Sequence, residues 1–174
     1  MQHRPLRARS LLPAGLVLGM GFGGFLDGLL FHQVLGWHHL LTSSPDPALR
    51  ESLRANELAD GLFHLGTWGL LAVGLLLLWR ARDAFAALGA GRRFLGALLL
   101  GAGAFNLLEG LVNHQILGIH HVHPTEALGW DLAYLAVGAL LVVAGLLLWR
   151  TADRVAADRR GPSGEAGRPG WRSG

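Results

Sequence analysis

A thirteen-residue motif that contains a carboxylate, a glutamine and three histidines occurs twice in the chain. Residues 27–39 read DGLLFHQVLGWHH, and residues 109–121 read EGLVNHQILGIHH. Eight of the thirteen positions are identical, at a constant offset of 82 residues. Imidazole together with carboxylate suits Zn, Fe, Cu(II) or Mn. Because an apolar segment can be duplicated without keeping such polar groups, the repeat predicts a transition-metal site.

The candidate ligands come from both copies of the motif and from one further histidine. They are His32, His38, His39, His64, His114, His120, His121, Asp27 and Glu109. Other polar side chains would then fix the imidazoles by hydrogen bonding. For that role we expect Gln33, Gln115, Asp60, Asp131 and Tyr134, with Tyr134 matching His64 of the first half. No catalytic residue is assigned, although Glu109 or Asp27 would serve as the general base of a hydrolytic zinc enzyme.

The composition argues against some kinds of metal site and leaves three interpretations of the motif open. The chain has no cysteine and only 2 methionines, which argues against thiolate chemistry and against a dedicated Cu(I) site. A non-haem di-metal centre remains open, as does a haem with His32 and His114 as axial ligands. A third reading needs no metal: the carboxylates and histidines would form a proton relay or the polar contacts of an accessory subunit.

Four apolar segments are long enough to hold these residues in a bilayer, whose core takes about 20 helical residues to cross. They cover residues 11–35, 58–79, 94–117 and 128–149. Hydrophobic residues make up 51% of the chain, charged residues 16%, and the mean hydropathy is +0.37. The stretch 69–79, GLLAVGLLLLW, has no polar face, unlike the helices of soluble bundles.

We therefore predict an all-α integral membrane protein, a four-helix bundle over residues 11–150. The duplication divides it into two helical hairpins, at about 11–83 and 94–153. A two-span repeat returns to its starting side, so the hairpins are a parallel repeat about an axis along the membrane normal.

The distribution of arginine predicts the orientation. All 15 basic residues are arginine, and only Arg50 and Arg54 lie in the two loops that follow the first and third spans. By the positive-inside rule, both termini are cytoplasmic and the histidine motifs face outward from a bacterial inner membrane. Residues 1–10 are then a basic cytoplasmic segment, and residues 155–174, rich in Arg, Gly and Pro, a disordered tail.

The same distribution accounts for the high pI of about 10.9, so it gives no support to a nucleic-acid partner. The expected partner is the lipid bilayer, with a second membrane protein or further copies of the chain as additional possibilities.

Helical geometry suggests how the motif presents its ligands. At about 100° per residue, Asp27 and His38 fall within about 20° of one another, as do His32 and His39. The second copy repeats this arrangement. The arithmetic assumes that each helix continues through its glycine, Gly36 or Gly118.

Two further patterns concern the surroundings of the site. Gly24-x-x-x-Gly28 and its counterpart Asn106-x-x-x-Gly110 predict a close approach of the first and third spans. Asp46 followed by Pro47 predicts the start of a short amphipathic helix that covers the site from outside.

Several long motifs resemble a bacterial family of small four-span membrane proteins catalogued as a domain of unknown function. They are FLDGLLFHQVLGWHHLL, DGLFHLGTW at 60–68, NLLEGLVNHQILGIHHVHP and GWDLAY at 129–134. The resemblance covers about residues 14–150 and implies an integral membrane protein, with no established activity. There is a weaker likeness to membrane di-iron oxygenases, from which this chain departs in spacing, because it has H-x-x-x-x-x-H-H in place of H-x-x-H-H; the departure argues against a hydroxylase or desaturase. The E-x-x-H signature of ferritin-like bundles is absent too.

Metal handling or sensing at an outward-facing site is the function that we expect. A membrane redox enzyme or electron carrier is the second hypothesis, and a metal-free structural subunit or proton relay is the third. The cofactor would be Zn, Fe or Cu, with haem possible.

Overall fold

The computed structural model describes residues 11–158, and this part of the chain is helical without strands. Its α-helices are α1 (Leu11–Asp27), α2 (Pro47–Arg50), α3 (Leu53–Ala81), α4 (Ala90–Glu109) and α5 (Ala127–Asp158). A π-helix continues α1 (Gly28–Val34, called π1) and another continues α4 (Gly110–Ile116, called π2), while a 3₁₀-helix, Arg82–Ala86, follows α3.

Four helical segments have the length and apolarity of membrane spans, as the sequence predicted. They are Leu11–Val34, Leu53–Ala86, Ala90–Ile116 and Ala127–Ala157. Large apolar side chains such as Leu58 and Trp68 are exposed on the outside of the bundle. A lipid environment suits this surface, because helices satisfy their own backbone groups and need only apolar contact around them.

The ends of the chain extend beyond the described residues. The basic segment 1–10 lies outside them, and so does the predicted disordered tail from residue 159 onward. Residues 155–158 belong to α5, so the prediction of disorder is wrong for this part.

Helices α1 and α4 form the central pair, with α3 packed on α1 and α5 packed on α4. Small residues allow the close approach of the central pair, but they differ from the predicted ones. A Cβ atom at Gly19 would overlap the carbonyl oxygen of Leu98, and one at Gly101 would overlap that of Leu16. The predicted Gly24 faces both Thr67 and Phe105, whereas the atoms nearest to a Cβ at Gly28 belong to His64 and Phe63 of α3.

The two hairpins pack in equivalent ways. Gly74 of α3 rests against Leu18 of α1, and Gly145 of α5 rests against Leu100 of α4. Equivalent residues of the two hairpins are 82 positions apart in α1 and α4, and 71 positions apart in α3 and α5. The duplication in sequence is therefore matched by duplicated helix contacts.

Each long helix that carries a motif changes its winding before the motif ends. In π1 the amide of Leu35 donates to the carbonyl of Leu30, one residue further back than in an α-helix. Gly36 then adopts a φ of +57° and Gly118 a φ of +58°, a conformation that ends helices and favours glycine. The assumption that both helices continue through these glycines is wrong, and the paired histidines lie in loops.

Those two loops pack on one another at one end of the bundle. The amide of Ser43 donates to the carbonyl of Ile119, and the ring of Trp37 contacts that of His123. The predicted outer helix does begin at Asp46, whose side chain accepts from the amide of Ala48, but α2 is a single turn.

A candidate metal centre of buried imidazoles

Four histidines, two from each copy of the motif, form a buried row at the end of the bundle where the loops meet. The ring centroids are 4.7 Å apart from His32 to His38, from His38 to His120, and from His120 to His114. None of these residues is more than 3% exposed. His32 and His114 lie in π1 and π2, and the other two follow the glycine that ends each helix.

Asp60 of α3 lies between two histidines of the first motif. Its Oδ1 is 3.0 Å from Nδ1 of His32, and its Oδ2 accepts a hydrogen bond of 2.7 Å from Nδ1 of His39. The amide of Leu40 also donates to Oδ1, at 2.8 Å. An ionised carboxylate only accepts hydrogen bonds, so it favours the tautomers of both histidines that carry the proton on Nδ1.

Asp131 of α5 repeats this arrangement in the second copy. Its Oδ1 is 3.1 Å from Nδ1 of His114, and its Oδ2 accepts from Nδ1 of His121 at 2.7 Å. The amide of Val122 donates to Oδ1 at 3.0 Å, as that of Leu40 does for Asp60. The two hairpins therefore place Nδ1 of His32 and Nδ1 of His114 beside equivalent carboxylates.

His38 is fixed by a contact that crosses between the copies. Its Nδ1 lies 2.8 Å from the carbonyl oxygen of Val122, an acceptor that likewise requires the proton on Nδ1. Among residues 11–158, Nε2 of His38 and Nε2 of His32 have no hydrogen-bond partner, although both are buried. A lone pair of His38 is thus left free inside the protein, and neither ring nitrogen of the buried His32 has a hydrogen bond within this part of the chain.

Glu109 supplies a carboxylate to the other end of the row. Its Oε2 is 3.1 Å from Nε2 of His114, and its Oε1 is 3.1 Å from Nε2 of His120. If the proton of a neutral His114 lies on Nδ1, toward Asp131, the lone pair of Nε2 faces a carboxylate oxygen. Two acceptors at this distance repel each other unless a proton or a cation compensates them.

Asp27, the equivalent of Glu109, is buried but forms no such contacts with imidazoles. Its side chain is one methylene shorter, and the imidazoles that correspond to His114 and His120 are His32 and His38, whose Nε2 atoms are unpaired. The conservative exchange of Asp for Glu thus makes the centre asymmetric.

Burial keeps the loop imidazoles neutral. It lowers the pKa of His38 to about 4, with the nearby His32 acting in the same direction. Burial also lowers the pKa of His120 well below its usual value, and His38 adds to the effect. Neutral imidazole is the form that binds metals, so these side chains are ready to coordinate at neutral pH.

Two groups of three side chains place their ligand atoms close enough for one metal ion. One consists of His32, His38 and His120, and the other of Glu109, His114 and His120. Within each group, one ligand atom per residue lies within 4.8 Å of the others, and all members are buried. The groups share His120, so they form one continuous centre.

Other candidate ligands lie outside these two groups. His39 and His121 contact the aspartates from the outer side and have side chains 39% and 30% exposed. His64 uses Nδ1 on the carbonyl of Asp60, and its ring packs against Gly28 and Phe25.

Among the expected orienting residues, the structure brings Asp60 and Asp131 to the imidazoles. Gln33 and Gln115 are exposed, because each directly follows a buried histidine and neighbouring side chains on a helix point in different directions. Tyr134 packs against His114 and Gly110 as Phe63 packs against His32 and Gly28. Its counterpart is therefore Phe63, and the residue that matches His64 is Leu135.

Sequence reasoning did not identify the carbonyl of Val122 or the amides of Leu40 and Val122 as parts of this centre. The type of a residue does not show whether its backbone amide or carbonyl will take part in a site. The only available signal was the position of these residues directly after each His-His pair.

Residues 14–152 match the model of a family described as predicted membrane protein (DUF2243). The chain belongs to this family. The DUF2243 match includes the greater part of each of the four spans and every residue of the imidazole row. No curated protein and no solved structure matches the chain.

Proposed function

We propose that this DUF2243 protein binds a transition-metal ion through the buried imidazoles of His32, His38 and His120, with His114 and Glu109 adjacent. One observation carries the proposal: the carbonyl of Val122 accepts from Nδ1 of His38 and a carboxylate oxygen lies 3.0 Å from Nδ1 of His32, while the buried Nε2 atoms of both have no partner among residues 11–158. A free lone pair in a protein interior is costly, and a metal ion would compensate it. A carboxylate or carbonyl behind each imidazole is the usual support of a metal-binding histidine.

The donor set favours an ion of intermediate softness. Imidazole suits Zn, Cu(II) and Fe, and one carboxylate is compatible with each of them. A haem is less favoured, because the rings of His38 and His120 lie in the row between His32 and His114. A porphyrin between these two histidines would have to displace both rings.

Metal handling or sensing at the membrane surface is the role that fits this centre best. The arginine distribution supports an outward-facing site. The loops that carry His38 and His120 lie at the end of the bundle, so an ion could enter from that side without crossing the bilayer.

Metal analysis of the purified protein tests the proposal. Protein purified in mild detergent and reloaded with Zn, Fe or Cu after chelation should retain about one ion per chain after gel filtration. The variants His38→Ala and His120→Ala should lose most of it. His123→Ala is the matched control, because His123 lies in the same loop but packs against Trp37 outside both ligand groups.

Circular dichroism and elution volume establish whether each variant is folded. Folded wild-type protein that retains no metal would overturn the proposal. Retention of metal by folded His38→Ala and His120→Ala proteins would overturn this assignment of the ligands.

A further inference from the structure

Of the described residues, His120 alone belongs to both groups of metal-ligating side chains. The first group adds His32 and His38, and the second adds Glu109 and His114. The rings of His32 and His114 are the two ends of the buried row, in which each ring centroid is 4.7 Å from the next. The row therefore offers two places for a cation, one toward each end, and His120 adjoins both.

The second group has the spacing of ligands on a single ion. Oε1 of Glu109 lies 3.1 Å from Nε2 of His120, and Oε2 lies 3.1 Å from Nε2 of His114. Two ligand atoms bound tetrahedrally at about 2.0–2.1 Å are about 3.3 Å apart. Oε2 of Glu109 and Nε2 of His114 are buried, and neither has a hydrogen-bond partner within residues 11–158. An ion at this end would satisfy both atoms with little movement of the side chains.

Nδ1 of His120 lacks the acceptor that its counterpart has in the first copy. In His38 this atom lies 2.8 Å from the carbonyl oxygen of Val122. The equivalent carbonyl for His120 is that of Leu40, yet Nδ1 of His120 is buried and has no hydrogen-bond partner in the described part of the chain. Since Nε2 lies beside Glu109, Nδ1 is the nitrogen left for the first group. His120 thus has one ring nitrogen available for each group.

We propose that a second transition-metal ion binds at Glu109 and His114, and that the ring of His120 bridges the two ions. Nε2 of His120 binds this second ion, and Nδ1 binds the ion held by His32 and His38. The inference rests on the proposed function, because the first ion occupies the site described there.

The bridge requires the ring of His120 to lose its one remaining proton. A neutral imidazole carries that proton on one nitrogen, and the second ion takes the electron pair of this nitrogen while the proton passes to solvent. The two cations also repel each other across the ring. The second ion therefore binds more weakly than the first, so it is bound only when free metal is present and is lost on gel filtration.

Copper titration of the full-length protein in mild detergent tests the inference. His3, which lies outside the described residues, is changed to alanine in every sample so that it binds no copper. Equilibrium dialysis against Cu(II) gives the number of ions per chain, and electron paramagnetic resonance (EPR) at liquid-helium temperature gives the number of uncoupled spins. A deprotonated imidazole between two Cu(II) ions couples their spins antiferromagnetically. The EPR intensity should therefore rise until the first ion is bound and fall as the second binds.

Three comparisons identify the source of this loss of signal. Zn as the second ion has no unpaired electron and should leave the signal of the first copper in place. His114→Ala retains the ligands of the first ion, so its signal should rise and not fall. His123→Ala is the matched control, since His123 lies in the same loop outside both ligand groups, and it should behave as the wild type does. Copper on exposed histidines adds signal and cannot imitate the loss.

Each outcome bears on one part of the proposal. Saturation at one ion per chain would overturn the second site and leave the proposed function standing. Two ions with additive EPR intensity would overturn the bridge. A fall of signal in folded His114→Ala would overturn the assignment of the second site, and if circular dichroism shows that this variant is unfolded, the wild-type titration decides alone. Binding of no ion at all would overturn the proposed function itself.

Discussion

The carboxylate of Glu109, at the end of α4, lies 3.1 Å from Nε2 of His120, in the loop that follows π2. The glycine that ends π2 makes this contact possible, because Gly118 turns the chain back toward the bundle. The second copy thereby forms a local carboxylate–imidazole cluster, whereas in the first copy, with the shorter Asp27, Nε2 of His32 and of His38 has no partner among residues 11–158.

Shortening or neutralising Glu109 should therefore weaken metal binding. Glu109→Asp retains the charge but, like Asp27, should no longer reach the imidazoles. Glu109→Gln retains the length but loses the charge that a cation needs. We expect both to lower metal affinity by at least about tenfold, roughly 1.4 kcal/mol, in competition titrations with a chelator.

The exposed Glu126, in the loop before α5, provides the control for this pair. Glu126→Gln changes the net charge equally and should leave the affinity unchanged. An equal effect of Glu109→Gln and Glu126→Gln would indicate general electrostatics, against a specific contact.

Replacing either of the two orienting aspartates should also reduce metal affinity. In Asp60→Asn and Asp131→Asn, an amide nitrogen replaces one of the oxygens that face the imidazole Nδ1 atoms. We expect a loss of about 10- to 100-fold for each, the usual effect of removing the support of a metal-bound histidine. The exposed Asp83, at the other end of α3, gives the control variant Asp83→Asn. Wild-type affinity in both Asp60→Asn and Asp131→Asn would contradict the role of these residues.

The sequence was sufficient to predict the number of spans and the residue types of the centre. Apolar length identifies a membrane helix directly, and the duplicated polar motif stands out against an apolar background. Asp60 and Asp131 were also recognisable, because charged residues are costly in spans.

The positions of the side chains within the centre could not be predicted from the sequence pattern. The angle arithmetic assumed α-helical winding, whereas π1 and π2 are wound differently and the paired histidines lie in loops. The effect of the one-methylene difference between Asp27 and Glu109 depends on interatomic distances, which the periodicity of a sequence does not give. The close contact of α1 with α4 at Gly19 and Gly101 was missed because glycine is frequent throughout these helices.

Substitution at that helix contact should destabilise the bundle. In Gly19→Ala the new methyl group would overlap the backbone of α4 at Leu98, so the helices must separate or bend. Overpacking of this kind costs about 1–3 kcal/mol. We expect a lower midpoint of thermal unfolding in detergent, followed by circular dichroism. Gly66→Ala in α3 is the control, since a Cβ atom there has nothing within 4 Å, and its midpoint should not fall.

The orientation in the membrane can be tested on a chain that has no cysteine of its own. Glu51 and Asp83 are both exposed, at opposite ends of α3. Because arginines cluster at the Asp83 end, the positive-inside rule predicts that this end is cytoplasmic and that Glu51 is outside. A membrane-impermeant maleimide added to intact spheroplasts should label Glu51→Cys, whereas Asp83→Cys should react only after permeabilisation. The opposite pattern would put the imidazole row on the cytoplasmic side, and metal would then be acquired from, or sensed in, the cytoplasm.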